Sequence, residues 1–285
     1  MNERIPMTTD KTIPRLTRPY DTDQLDDALR NRGAVVLAEA YSTEQCDTFV
    51  TQVQDYLAAH PEEVEYAAKS VLGGFQNDTT QTFHGLFGTV PCAADMVLQR
   101  DIVDCARRVL RPLSETILLT NAEYMARRPG TSRQPLHCDT YMWRHAPYGE
   151  NPIAITVLAA MSDFTVDNGA TWVVLDSHGG PPTHDAPNWS EAVRATMAKG
   201  DALMFRADLL HAGGANTTES DVRHIFSMGF QVGWLRQVEN TSLSVPPHRA
   251  AELAPELQEL LGYSYEGVLG LYKGGHPNNA IPANA

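Results

Sequence analysis

The sequence predicts an all-β core of sandwich or jelly-roll type with helices packed on one side. From about residue 115, segments rich in β-branched and apolar residues alternate with Gly, Asn, Asp and Pro turns: TILLTNAEYMARR, QPLHCDTYMW, IAITVLAAMSDF, ATWVVLDS, DALMFRADLLHA and RHIFSMGFQVGWL. Short strands at this spacing suit a sandwich better than alternating βαβ units. Helical periodicity is confined to the first 110 residues and one late segment.

The elements follow in order. Residues 1–20, rich in Pro, Thr and charge, read as an extended surface segment. Residues 22–31 (TDQLDDALRN) read as a short helix closed by Gly33, and AVVLAEAY after it as a strand. Ser42 and Gln45 have the form of a capping box. Behind it Cys46, Phe49, Val50, Val53 and Leu57 recur at helical spacing, giving an amphipathic helix over 43–59. Residues 61–90 carry no clear pattern. A helix is expected over 93–110 with Met96, Val97, Ile102, Val103, Ala106, Val109 and Leu110 as its buried side. The late helix lies within 249–261, with Pro255 as an alternative start. With no internal repeat or low-complexity linker, residues 1–285 are read as one domain, and 273–285 as a flexible tail.

Composition narrows the function. The chain is 42% apolar and 20% charged, ordinary for a globular protein. Its formal net charge is −13, and no run of Lys and Arg is long enough to follow a phosphate backbone. Nucleic acid and anionic membrane surfaces are therefore excluded as expected partners. Cys46, Cys92, Cys105 and Cys138 form no CxxC pair, and the N-terminus lacks the apolar run of a signal peptide. A reducing, cytoplasmic setting is the expectation.

The chemistry concentrates in QPLHCDTYMW. In a strand, alternate side chains share a face, so His137 and Asp139 point one way and Cys138 the other. A third ligand is available at the end of DALMFRADLLHA, where His211 is followed by Gly213 and Gly214, a pair that permits a sharp turn. Two imidazoles and one carboxylate on one face leave three octahedral positions open, the ligand set of non-haem Fe(II) oxygenases. Zinc prefers a tetrahedral site with one open position. Arg223, on the next predicted strand, can present a guanidinium fork to the far carboxylate of 2-oxoglutarate. Arg206 and Asp208 are near His211 in sequence but on the opposite predicted face, so they are placed outside the site.

Together QPLHCD, DFTVDNGATWVVLDSH, MAKGDALMFRADLLHAGGANTT and VRHIF resemble, in order and spacing, the phytanoyl-CoA dioxygenase family. Within it the chain is most similar to the secondary-metabolism branch, which includes fumitremorgin B endoperoxidase and dioxygenases of fungal alkaloid and meroterpenoid pathways. The resemblance spans about residues 25–265 and is most specific over 134–225. It implies a cupin-like double-stranded β-helix, with Fe(II) at His137, Asp139 and His211 and 2-oxoglutarate on Arg223, Thr171 and Gln134. It places the substrate pocket along TQTFHGLFG, with Phe83 and His84 as lining candidates; Tyr141, just past the metal ligands, is a third. Halogenases of this kind replace the carboxylate ligand by a small residue, so Asp139 favours oxygenation.

The expected activity is therefore oxidation of an unactivated C–H bond using Fe(II), 2-oxoglutarate and O₂. Its outcome would be hydroxylation, desaturation or oxidative rearrangement of a small natural product, of apolar polycyclic type by resemblance. A homodimer is compatible with that branch. The rival is a cupin-like Mn or Zn isomerase or hydrolase that does without 2-oxoglutarate; it has no need of a buried cation at Arg223. A metal-free binding module is the third class.

Overall fold

The computed structural model describes residues 11–68 and 79–282, so 1–10 of the N-terminal segment and 283–285 of the tail lie outside the described residues. Helix α1 (Thr22–Arg32) starts at Asp21, whose side chain accepts from Asp23 N while Gln24 completes a capping box. It stops at Gly33, which takes the left-handed conformation (φ 78°) that a Cβ disfavours. Helix α2 (Thr43–Ala59) starts at the expected Ser42–Gln45 box and buries Cys46, Phe49, Val53 and Leu57. Helix α3 (Pro61–Ala68) follows directly.

The single helix expected over 93–110 is instead two, α4 (Pro91–Val97) and α5 (Arg100–Leu110). Gln99 makes the break, because its side chain caps α5 by accepting from Ile102 N at 3.0 Å. The late segment holds the end of a turn, α7 (Pro247–Ala250), and then helix α8 (Pro255–Leu260), which begins at Pro255; a further turn, α6 (Thr241–Ser244), precedes them. Among the described residues no helix is long and apolar enough to cross a membrane.

Among the described residues ten strands form two sheets: β1 (Arg15–Leu16), β2 (Ala34–Leu37), β3 (Thr80–Phe83), β4 (Ile117–Arg127), β5 (Ala154–Ala160), β6 (Thr171–Val173), β7 (Val193–Ala195), β8 (Ala202–Arg206), β9 (His211–Ala212) and β10 (Arg223–Val232). The seven-stranded sheet runs β1-β2-β8-β5-β10-β4-β3 and the three-stranded sheet β7-β6-β9. Among these strands β1 on β2 is parallel and the other pairings are antiparallel. Isolated bridges from His137 to His211 and to His184 widen the small sheet. The segment DALMFRADLLHA does not run as one strand through residues 202–212, since a turn at Ala207–Leu210 separates β8 from β9.

Strand alternation sorts the core into two layers. Val35, Ile155, Val157, Met204, Phe226 and Phe230 face the helices and meet Phe49, Val103 and Val109. Val36, Leu158, Leu203, Phe205 and Ile225 face the small sheet and meet Phe164 and Val173. Burying each such side chain stabilises by about 1.5–3 kcal/mol, and burial on both faces is why these strands lack polar alternation. One irregularity matters. Between β10 and β4 the register shifts at Gly229/Phe230, where Gly229 opposes Asn121 and Phe230 opposes Leu119, leaving Thr120 as an extra residue.

Candidate metal and co-substrate site

Between the sheets, on the face shared with the small sheet, a cavity of about 160 Å³ is walled by β4, β5, β8 and β10. His137, Asp139 and His211 converge on it, with one ligand atom from each lying within 4.8 Å of the others. His137 and His211 are held back to back by paired backbone hydrogen bonds, His137 N to His211 O at 3.0 Å and His211 N to His137 O at 2.8 Å. Each ring sets its Nδ1 against a carbonyl two residues back, Pro135 O at 2.8 Å and Leu209 O at 3.1 Å. That fixes Nδ1–H as donor and leaves Nε2 as the lone-pair nitrogen on both rings.

Both Nε2 atoms face Asp139 Oδ1, at 3.5 Å from His211 and 3.9 Å from His137. The chain around Asp139 is not the strand expected from the sequence: His137 makes only isolated bridges, and Asp139 opens a 3-10 turn through Trp143. Shared orientation of the two ligands comes from this turn rather than from strand alternation. Burial, and next the neighbouring His211, pull the His137 imidazole down to about 4, so it is neutral and fit to bind a metal at neutral pH. The donor set of two imidazoles and a carboxylate fits Fe(II).

Arg223, at the start of β10, is 1% exposed. Its guanidinium donates to Thr171 Oγ1 at 3.4 Å and lies 4.5 Å above the Phe164 ring, while its Nε has no hydrogen-bond partner among the described residues. Burial, then the Arg127 and Arg194 cations beside it, pull Arg223 well below the ordinary arginine range. Arg127 itself is pulled to about 10 by burial, and its Nε is also unpartnered. Arg223 and Arg127, two buried guanidiniums with no carboxylate beside them, form a place that an anion would stabilise.

Gln134 lines the same cavity, with its Oε1 fixed on Gly213 N at 2.7 Å so that the amide NH₂ remains as a donor. Gly213 and Gly214 are glycines for room rather than for a turn. A Cβ on Gly213 would stand 2.7 Å from Gln134 Oε1 and 2.9 Å from Arg127 Nη1; on Gly214 it would stand 2.1 Å from Arg194 Nη1. The turn expected of this pair is thus a close approach of backbone to the arginines. These observations, an orphaned buried Nε and a cradle that any side chain would fill, fit a dicarboxylate such as 2-oxoglutarate.

The substrate candidates separate. Phe83 is turned to the helix-side core, 4% exposed and 5.3 Å from the Tyr56 ring, so it is not on the cleft wall. Its register opposite Tyr124, which faces the same core, forces this. Tyr141 is 43% exposed beside His184 and does not border the cavity; its neighbours Met142 and Trp143 do. His84 is not among the cavity-lining residues; its Nε2 stands 3.4 Å from Glu123 Oε2. Arg206 and Asp208, set aside on sequence grounds, form a buried pair with two contacts, at 2.9 and 2.8 Å, away from the cavity.

Sequence reasoning missed Thr156, Arg127 and Glu123. The signal was present for two of them: Glu123, Met125 and Arg127 alternate in a strand whose intervening residues Tyr124 and Ala126 are apolar or small.

The phytanoyl-CoA dioxygenase (PhyH) family model matches residues 29–225. Among curated proteins, the iron/alpha-ketoglutarate-dependent dioxygenase penM of Penicillium thymicola is 26% identical over 266 residues, covering 90% of this chain and 82% of its own. The multifunctional dioxygenase prhA of Penicillium brasilianum is 28% identical over 266 residues, covering 88% and 86%. Among solved structures, the epimerase SnoN, crystallised with Fe³⁺, alpha-ketoglutarate and nogalamycin RO, superposes with a TM-score of 0.59 at 17% identity, covering 75% of this chain and 84% of that one. HygX of Streptomyces hygroscopicus, with nickel, 2-oxoglutarate and hygromycin B, gives 0.59 at 15% identity, covering 76% and 90%. With the family model matched over most of its length, the chain belongs to the phytanoyl-CoA dioxygenase family.

Proposed function

We propose that this protein is a non-haem Fe(II)- and 2-oxoglutarate-dependent oxygenase acting on a small-molecule natural product. The observation that carries the reading is the pairing of an open His137–Asp139–His211 face with an uncompensated, fully buried Arg223 in one cavity. The relatives named iron/alpha-ketoglutarate-dependent dioxygenases support it. We also propose that the two facing sheets form a jelly-roll double-stranded β-helix, a reading supported by the superposition on SnoN and HygX.

His137, Asp139 and His211 would hold the metal, leaving three positions for co-substrate and O₂. Arg223 and Thr171 would take the remote carboxylate of 2-oxoglutarate, with Gln134 donating its NH₂ to the same ligand. Bound iron would supply oxidative decarboxylation of 2-oxoglutarate to succinate and CO₂, coupled to attack on a substrate C–H. The chain's own part is orientation and exclusion of water: Phe205, Leu158 and Ile225 line the cavity with apolar surface. That lining suits an apolar, polycyclic substrate body. A Mn or Zn isomerase would leave Arg223 buried without purpose.

Anaerobic titration of the metal-free protein with Fe(II) and then 2-oxoglutarate tests the proposal. The expected result is a weak visible charge-transfer band from the chelate, formed by Arg223→Ala only at far higher 2-oxoglutarate. Iron binding with no band on adding 2-oxoglutarate would overturn it.

A further inference from the structure

Glu123 is a carboxylate inside the cavity that neither metal nor co-substrate uses. The β4–β10 register sets Arg127 opposite Arg223 and Glu123 opposite Ser227. Four residues of strand separate the two levels, about 13 Å at roughly 3.3 Å per residue, and all four side chains line the cavity. The wall is thus cationic at one level and anionic at the other. A dicarboxylate belongs with the arginines, so Glu123 faces some other occupant.

Its state is incomplete. Glu123 is 7% exposed, and Asn121 Nδ2 donates to its Oε1 at 3.3 Å. Oε2 is buried with no hydrogen-bond partner among the described residues; His84 Nε2 stands 3.4 Å away without the alignment of a hydrogen bond. Burial foremost, with Asp139 and Glu239 adding to it, raises the carboxyl above its usual range, and His84 opposes them. Thr120 Oγ1, on the same stretch of wall, is a second buried oxygen without a partner. Space in front of them is kept by Gly229, where a Cβ would come 2.9 Å from Thr120 Cβ and 3.2 Å from Asn121 Oδ1.

Two acceptor oxygens without donors call for a ligand that brings N–H or O–H groups, and a charged carboxylate favours one that brings positive charge. Trp143, half-exposed at the cavity rim, adds an aromatic face of the kind that attracts cations. The net charge of −13 draws cations toward the molecule as a whole.

We infer that Glu123 is the counter-ion for a protonated amine nitrogen of the substrate, with Thr120 as a second acceptor. This rests on the oxygenase reading and narrows it: the apolar natural product carries a basic nitrogen. Glu123 is then a specificity-determining residue, rejecting neutral analogues of the same shape.

The test compares benzylamine with benzyl alcohol, matched in ring and size, by anaerobic calorimetric titration of the Fe(II)- and 2-oxoglutarate-loaded protein at pH 7. The wild type should bind the amine about tenfold or more tightly than the alcohol, as a charge-assisted hydrogen bond in a buried site predicts. Glu123→Gln should bring the two within about twofold of each other while the chelate band is unchanged. Equal binding of the two probes by the wild type, no binding of benzylamine, or a preference that survives Glu123→Gln would each overturn the inference. Should the variant fail to fold, the wild-type comparison decides alone. Failure of the chelate band to form would instead strike the oxygenase reading, and the amine preference is then read on the metal-free protein.

Discussion

Thr156 donates its hydroxyl hydrogen to Asp139 Oδ2 at 2.6 Å, so the other oxygen, Oδ1, is the one presented to both histidines. The hydroxyl sits on β5, a strand of the large sheet, whereas Asp139 lies on a 3-10 turn outside any strand. A rigid sheet therefore orients a ligand that the local chain leaves adjustable.

Thr156→Val keeps the volume and removes this donor. Fe(II) affinity should fall about 10- to 100-fold, the usual cost of losing a partner that orients a metal ligand. Thr156→Ser should retain most of it. Competition with a chelator of known affinity measures both, and an unchanged affinity for the valine variant would show that Asp139 is positioned by its backbone alone.

Arg223→Leu exchanges a buried cation lacking a carboxylate for an apolar side chain. The melting temperature of the ligand-free variant should equal or exceed that of the wild type. Saturating 2-oxoglutarate with metal, at roughly 100 times its Kd, should stabilise the wild type by about 2.7 kcal/mol and the variant by almost nothing. Differential scanning calorimetry with and without ligand reads both effects.

Metal-free protein should lose stability in mild acid. Burial lowers His137 to about 4 and also lowers His224, whose Nδ1 is 2.7 Å from the Tyr124 hydroxyl. Above the unfolded value near 6.5 neither state binds the proton, and stability is level with pH. Below it the unfolded chain takes up protons that the folded one refuses, so stability falls until about pH 4, where His137 titrates in the folded state too. The loss from His137 is at most about 3 kcal/mol. Urea denaturation from pH 7.5 to 5, an interval chosen to span about the unfolded histidine value, should show the decline, and His224→Gln should flatten part of it.

Gly214→Ala should destabilise by about 1–3 kcal/mol, the range for overpacking a filled site. Its Cβ would enter the space of Arg194 Nη1 and stand 2.6 Å from Ala170 O. Gly180→Ala, where nothing lies within 4 Å, is the control and should change stability by no more than about 0.5 kcal/mol. Chemical denaturation of the two variants side by side settles the contrast.

The candidate metal ligands were legible because their chemistry is: two histidines and an aspartate in a strand-rich chain, with an arginine on the following strand, are distinctive even without knowing how the strands pair. Helices α1 and α2 were legible through Gly33 and Ser42, whose caps are local events. What was not legible depended on pairing between distant segments. Phe83 looked like a pocket residue until its register opposite Tyr124 turned it to the helix-side core. Thr156 holds Asp139 across 17 positions of chain, and no local pattern advertises it. The division at Gln99 came from a side chain competing for a helix terminus, which apolar periodicity does not register.

The extra residue at Thr120 has a consequence for how such a protein can diversify. Before it, Ile117 and Leu119 face the helices; after it, Ala122, Tyr124 and Ala126 do, so the parity of β4 is reset in the middle of the strand. Deleting that one position would swap inside and outside for one half of the strand only. The half carrying Arg127, across from Arg223, would keep its face. Glu123 lies on that same half, so the length open to redrafting is the 117–119 side, while both charged levels of the cavity wall stay as they stand.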